Sequence, residues 1–485
     1  MDGAASPGGW SGVAEWKVTR GDALHPADPR IPRSSKIARV SHDIAPSRVI
    51  RSSRVLIDGE FRPAAVVVEG GRIAAIEAVD ARLDIADDIT LGDEQVLIPG
   101  IVDSHVHVNE PGRTEWEGFT TATRAAARGG VTTIVDMPLN SIPPTTTVEA
   151  LDLKRAAAAP QSVVDVGFWG GAIPSSLGAL EPLHDAGVFG FKCFLSPSGV
   201  DEFPHLSTEQ LHAAMAEIAA FDGLLIVHAE DPATLDASPA PEGTSYGAFV
   251  RSRPEASEQS AIGHVIDAVR ATGGRAHILH LSSAAALEQI KAAKAEGLRI
   301  TVETCPHYLS FDEESIPDGA TQYKCCPPIR DAHNQELLWE ALVDGTIDIV
   351  ASDHSPSTAA LKFAGDGDFD LAWGGISGLE LSFRAVWTGA ARRGIALPQV
   401  LQWMSTGTAD LVGLSSKGRI AVGADADLVA FDPDATFTVD ATALAHKNPV
   451  SAFDGSELRG RVAATWVAGR LVDEDAQPAR LLRRG

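Results

Sequence analysis

Cysteine is scarce in this chain: four residues in 485, at positions 193, 305, 325 and 326, with no CxxC pair. That count excludes a disulfide-stapled framework and fits a reducing compartment, so a cytoplasmic location is expected. Positive charge is also short. Lys and Arg number 40 against 65 Asp and Glu, a net charge of −25, which argues against nucleic acid or an anionic membrane as partner. A local pocket can oppose the global sign, so an anionic small molecule stays open. No apolar run approaches the ~20 residues of a bilayer span. The stretch from Met1 to Trp16 has no basic region followed by an apolar one, so no secretory leader is expected. A Gly-rich phosphate turn after an early strand is missing too, and with it the main support for an open doubly wound sheet.

What is present is ordinary globular composition, 44% hydrophobic and 22% charged, in a length that suits one barrel of ~250 residues plus a smaller domain. Residues 1–46 are rich in Pro, Ser, Gly and charge, and a poorly ordered extension is expected there. From Ser47 to about residue 95, short apolar runs such as Ala64-Ala65-Val66-Val67-Val68 are punctuated by Asp58-Gly59 and Gly70-Gly71. The same texture returns over 417–475, in Leu428-Val429-Ala430-Phe431 and Thr465-Trp466-Val467. The two pieces are expected to pair into one discontinuous β-sandwich domain, followed by a tail over 476–485. Between them, 96–416 alternates apolar strand runs (96–107, 131–137, 164–170, 190–195, 224–230, 276–282, 299–304 and 347–354) with helical stretches such as 208–221 and 257–272. The expected fold class is therefore α/β, a TIM-like (β/α)8 barrel carrying the small β domain.

Polar residues fall at one end of these strands. The first run closes on Asp103-Ser104-His105-Val106-His107, whose two imidazoles, at i and i+2, point the same way and can reach one metal. The fourth run carries Lys192, the fifth ends at His228, the sixth at His280 and the eighth at Asp353. All are directed to the C-terminal mouth, where sites of this fold are built. The ordinary reading of each alone is a polar strand end, or for Lys192 a surface or Schiff-base lysine; the conjunction of six favours a metal centre. Lys192 belongs there as a neutral amine, because burial and neighbouring cations disfavour its ammonium. A neutral amine adds carbon dioxide to become a carbamate whose two oxygens bridge two cations. His277 is expected to face away from His280, and His354 away from Asp353 as a hydrogen-bonding support; Asp136 and Asn140 are expected to brace the loop after the second strand.

These residues resemble the amidohydrolase superfamily, and within it the cyclic amidohydrolases, which open ring amides. The resemblance spans roughly 48–475 and rests on the run from Leu97 to His107, Gly190-Phe191-Lys192, His228-Ala229-Glu230, His280-Leu281-Ser282-Ser283, Ser352-Asp353-His354 and Lys417-Gly418-Arg419-Ile420. It implies a metal-dependent hydrolase with two divalent ions, zinc by default and cobalt, manganese or nickel compatible with the same ligands. His105, His107 and Asp353 would hold one ion and His228 and His280 the other, with N6-carboxylated Lys192 bridging them. Asp353 would also relay the proton from the attacking oxygen to the departing ring nitrogen. A homotetramer acting on a small molecule is implied as well.

Within the group, dihydroorotases usually carry an Arg two residues after the second His, where this chain has Asn109, and hydantoinases a Tyr where this chain has Pro197. The segments Asp136-Met137-Pro138-Leu139-Asn140-Ser141, Glu303-Thr304-Cys305-Pro306-His307-Tyr308, Lys324 to Arg330 and Trp373-Gly374-Gly375 are most similar to those of the allantoinases, which open the hydantoin ring of allantoin to give allantoate in purine catabolism. Asn109, Cys326, Gly375 and His307 are the expected ring contacts, Cys326 through its main chain since it stands where relatives commonly have Ser. Other open readings are a hydantoinase or dihydroorotase activity, phosphotriesterase-like hydrolysis, and a catalytically silent scaffold, which typically loses metal ligands that this chain retains.

Overall fold

Gly100 divides the first apolar run in two. Residues Val96–Pro99 leave the barrel and pair antiparallel with Leu428–Thr438, while Ile101–Val106 begins the barrel. Both halves are buried on every face, so the sequence shows one continuous run where the chain passes from one sheet to another. The pivot has to be glycine: a Cβ at Gly100 would lie 2.1 Å from the Thr132 hydroxyl. This computed structural model describes residues 47–241 and 243–485; the extension expected over 1–46 lies outside the described residues.

The barrel strands are Ile101–Val106, Val131–Asp136, Asp165–Phe168 continued by Gly170–Gly171, Phe191–Phe194, Leu224–His228, Arg275–Ile278, Ile300–Thr304 and Ile349–Val350. Each pairs in parallel with the next. Closure comes where Val106 bridges His354 and the His107 amide donates to the His354 carbonyl at 2.8 Å. Buried on both faces, these strands show period-free apolar runs rather than alternation. The helices between them begin on sequence-encoded caps. Ser207 and Gln210 form a reciprocal capping box ahead of Thr208–Ala220. Helix Glu255–Thr272 stops at Gly273 in the left-handed conformation.

Arg48–Ile57, Glu60–Glu69, Arg72–Glu77, Val96–Pro99, Leu428–Thr438 and Glu457–Val467, with the short Asp87–Thr90 and Arg470–Leu471, form one eight-stranded sheet built from both ends of the chain. Ile50, Val66, Val68, Leu97, Leu428 and Trp466 belong to one of its buried clusters, and Val49, Ala65 and Val67 form another. Two features outside the strands matter for the site. The excursion between the last two long strands returns to the mouth: Lys447 N donates to Glu117, Asn448 Nδ2 to Trp116 O, and Ser451 Oγ to Ser377 O. The segment given above as a tail docks on the barrel, with Leu481 bridging Val166 and Leu482 N donating to Val166 O at 2.8 Å. Among the described residues no helix is long and apolar enough to cross a membrane.

Candidate metal centre

The barrel brings the six expected ligands to its C-terminal mouth, all buried. His105 and His107 flank Val106 with ring centroids 5.5 Å apart, and His105 lies 5.4 Å from His280. Asp353 Oδ1 stands 3.1 Å from His105 Nε2 and 3.6 Å from His107 Nε2. On the other side, His228 Nδ1 faces His280 Nε2 at 2.9 Å. Lys192 extends from the floor, 1% exposed, with Nζ 4.5 Å from the Phe194 ring centre. Phe194 in turn stacks on His228 at 4.6 Å.

The strands end sooner than the apolar runs suggest. His280 and Asp353 lie beyond Arg275–Ile278 and Ile349–Val350, with φ of 38° and 44°. Left-handed backbone is unfavourable for residues with a Cβ, and it turns each side chain off the alternation of its strand. Strand alternation alone therefore placed the His105–His107 pair but not these two.

Several partners that orient the imidazoles escaped the sequence reading. Glu303, on Ile300–Thr304, accepts from His105 Nδ1, receives the His280 amide at 3.2 Å, and lies 3.0 Å from His277 Nε2. Glu230 stands 2.8 Å from His228 Nε2 and is gripped by Arg253 Nε at 2.9 Å. A carboxylate accepting one ring N–H leaves the other nitrogen with its lone pair directed inward. Glu230 follows His228 by two residues, but Glu303 stands on a run that carries none of the ligating histidines, so the imidazole it meets depends on cross-strand neighbours.

Electrostatics fit a cation site. Burial lowers His107 to about 3, and it lowers His228 and His280 as well. These are neutral imidazoles, the ligating form. Burial acts the same way on His105, but Asp353 and Glu303 outweigh it and raise that imidazole to about 9. Burial brings the Lys192 amine down to about 8 despite the opposing Asp353 and Glu303 charges. Among the described residues His105 Nε2 is buried without a hydrogen-bond partner, although Asp353 Oδ1 is 3.1 Å away. Donor atoms of His105, His107 and Asp353 lie within 4.8 Å of one another. An unpartnered nitrogen aimed at a carboxylate off hydrogen-bond geometry is the arrangement a shared cation satisfies, so the residues fit the group.

A profile of the amidohydrolase family matches residues 96–472. The chain belongs to that family. Among amidohydrolase relatives, it is 57% identical over 441 residues to the allantoinase of Streptomyces avermitilis, covering 90% of this chain and 98% of that one. It is 44% identical to the allantoinase of Arabidopsis thaliana over 87% of each chain. Among solved structures, the L-hydantoinase of Arthrobacter aurescens superposes with a TM-score of 0.82 at 31% identity, covering 90% of this chain and 98% of that one. The barrel with its two-ended β domain is thus the amidohydrolase architecture, and the family's chemistry is hydrolytic.

The expected substrate contacts are less uniform. His307 is buried, its Nε2 unpartnered among the described residues, and it groups with Cys305 and Asp353. Asn109 has φ of 65° and spends its amide locally: Nδ2 donates to Pro356 O at 3.3 Å, and Oδ1 accepts from Asn140 at 3.3 Å. Gly375 donates its N–H to Lys324 O at 2.9 Å, and its carbonyl accepts from Lys362. Cys326 is half-buried, and among the described residues its main-chain N–H and C=O make no hydrogen bond. His354, turned away from Asp353 as expected, meets Glu117 at 3.2 Å and accepts from Gly378 N at 3.2 Å. Asp136 braces the neighbouring loop, receiving Val108 N at 2.9 Å and Lys154 Nζ at 2.6 Å.

Proposed function

We propose that this amidohydrolase opens the hydantoin ring of allantoin to give allantoate. The observation that carries the hydrolytic reading is the convergence of His105, His107, Lys192, His228, His280 and Asp353 at one buried mouth, with outer carboxylates orienting the imidazoles. Similarity to relatives named allantoinases, 57% over nearly the whole of one of them, supports the substrate.

In this reading His105, His107 and Asp353 would hold one divalent ion, His228 and His280 would hold a second, and Lys192, as its carbamate, would supply an anionic ligand to both. A lysine amine brought down to about 8 has enough neutral form near pH 7 to add carbon dioxide, releasing one proton. Divalent cations, zinc by default, supply Lewis acidity toward the ring carbonyl and make water a usable nucleophile near pH 7. The chain's own residues do the rest. Asp353, whose Oδ1 faces both imidazoles of the first pair, accepts the proton of the attacking water and delivers it to the ring nitrogen as the carbon–nitrogen bond breaks. Glu303 and Glu230 keep the imidazoles aimed. Cys326 offers the ring a main-chain donor and acceptor, and His307 a ring nitrogen, that have no partner among the described residues. The same reading takes the protein as a cytoplasmic homotetramer, checked by sedimentation and cell fractionation.

The test is parallel turnover of allantoin, dihydroorotate and 5-substituted hydantoins by the metal-loaded protein. Allantoin is expected to dominate; preferential opening of dihydroorotate would overturn the substrate assignment. Lys192→Ala is expected to lose the metal pair and activity, with partial rescue by short carboxylates. Two tightly held ions in that variant would contradict the bridging role.

A further inference from the structure

Two lysines at the mouth take no part in the ligand set, yet they tie its walls together. Lys362 ends the short helix Ala359–Lys362 and is 4% exposed. Its Nζ donates to Lys324 O at 2.8 Å, to Trp373 O at 3.1 Å and to Gly375 O. An ammonium has three protons, and three main-chain carbonyls take them all. Lys324 reinforces the join from the facing segment, donating to Ala372 O at 2.6 Å and Asp370 O at 3.3 Å, while its own carbonyl also accepts from Gly375 N at 2.9 Å.

The joined segments border opposite halves of the centre. Lys324 leads into Cys325 and Cys326, and Cys326 lies in the field of Arg253, whose guanidinium holds Glu230 against His228. Downstream, the Pro327 carbonyl is pinned by the Tyr308 hydroxyl at 2.7 Å, so the unpaired main chain of Cys326 sits between two anchored points. Gly375 backs onto the loop after Asp353: a Cβ there would lie 2.1 Å from Ser355 O, and Ser355 N donates to Ile376 O at 3.1 Å. The lysine clasp thus fixes the His228 wall against the Asp353 wall.

We propose that Lys362 is a positioning residue that sets the spacing of the mouth for the ring, by tying the main chain of Lys324 to that of Trp373 and Gly375. The inference rests on the ring-amide reading above. A flat ring recognised by main-chain donors and acceptors tolerates little displacement of them, so loosening the clasp weakens ring binding while the ligand set stays intact. Burial brings the Lys362 amine down to about 7, with Cys325, Lys324 and Cys326 the titratable groups beside it, and its charge is felt at His307. Losing that proton leaves two donors for three carbonyls and turns a lone pair on one of them.

The experiment compares the metal-loaded full-length wild type with Lys362→Met and Lys324→Met, recording kcat, KM, metal content and Tm on allantoin or whichever ring amide the substrate panel selects. Lys362→Met is expected to raise KM about tenfold with kcat within about threefold of wild type, and Lys324→Met to raise KM about threefold, both with unchanged metal content. Wild-type KM should climb as pH rises past about 7 and be flat with pH in Lys362→Met. A fall in kcat at constant KM, a loss of metal, or unchanged kinetics would overturn the proposal. Should Lys362→Met fail to fold, Lys324→Met decides on the same criteria: a raised KM supports the clasp and an unchanged one overturns it. A wild type that opens no ring amide would remove the functional reading, and this inference with it, before any variant is compared.

Discussion

At the scale of single residues, the outer carboxylates decide how the imidazoles present themselves. Glu303 serves His105 across 198 positions of sequence, and through its second oxygen meets His277. Replacing it with glutamine keeps the size but offers a neutral amide, so His105 is no longer held by an anionic acceptor. Glu303→Gln is expected to lower metal affinity or kcat by about 10- to 100-fold, read by metal analysis alongside steady-state kinetics; wild-type values in both would refute the role. The His105–Val106–His107 pattern was legible because alternation along a strand is local geometry. Glu303 was not, since nothing near it in sequence says which imidazole it will face. Asn109 is a different case: its side chain, expected at the ring, is held by Asn140 and Pro356.

At the scale of elements, the passage from the β domain into the barrel depends on one missing side chain. The sequence shows a single apolar run from 96 to 107; the structure gives its first part to one sheet and its second to another, because both environments bury the strand on every face. Gly100→Ala would press a Cβ against buried Thr132 at 2.1 Å. Overpacking of this kind typically costs about 1–3 kcal/mol, so a lower urea midpoint is expected; an unchanged midpoint would show that the junction can relax. The helices were easier to read. Their caps at Ser207 with Gln210 and at Gly273 are residues whose chemistry acts within one turn.

At the scale of the molecule, Lys417 joins parts that lie far apart in sequence. Its Nζ lies 2.7 Å from Asp165 on a barrel strand, 3.3 Å from Asp425, and against Asp427 where the chain re-enters the β domain. Arg480 of the C-terminal segment closes the same cluster at 2.5 Å from Asp165 and 2.7 Å from Asp425. Lys417→Met would leave these carboxylates short of a buried counter-charge, a change that costs about 3–5 kcal/mol for a broken buried pair, measurable as a lower Tm. Burial opposes the Lys417 charge, but Asp427 and Asp165 outweigh it and raise the amine above its usual 10.5. Its contribution is complete below that value and is lost as pH climbs through the raised one. For Asp165, burial is outweighed by Lys417 and Arg480, which hold it below 3.8. That contribution is complete above 3.8 and is lost as pH falls through the lowered value. Wild-type stability should therefore decline at both extremes, with the alkaline arm diminished in Lys417→Met; matching alkaline profiles would exclude Lys417 as the group responsible.

What the sequence determined alone was whatever is written in neighbouring residues: the alternation of apolar runs with helical stretches, the caps, the His pair on the first strand, and the family motifs that name the ligand types. Closing the barrel decided the rest. It brought Glu303 to His105, turned His280 and Asp353 inward on left-handed backbone, docked the C-terminal segment on Asp165, and joined Lys362 to carbonyls from two loops. Such pairings depend on distances in space, and a linear pattern holds no measure of those until the first strand meets the last.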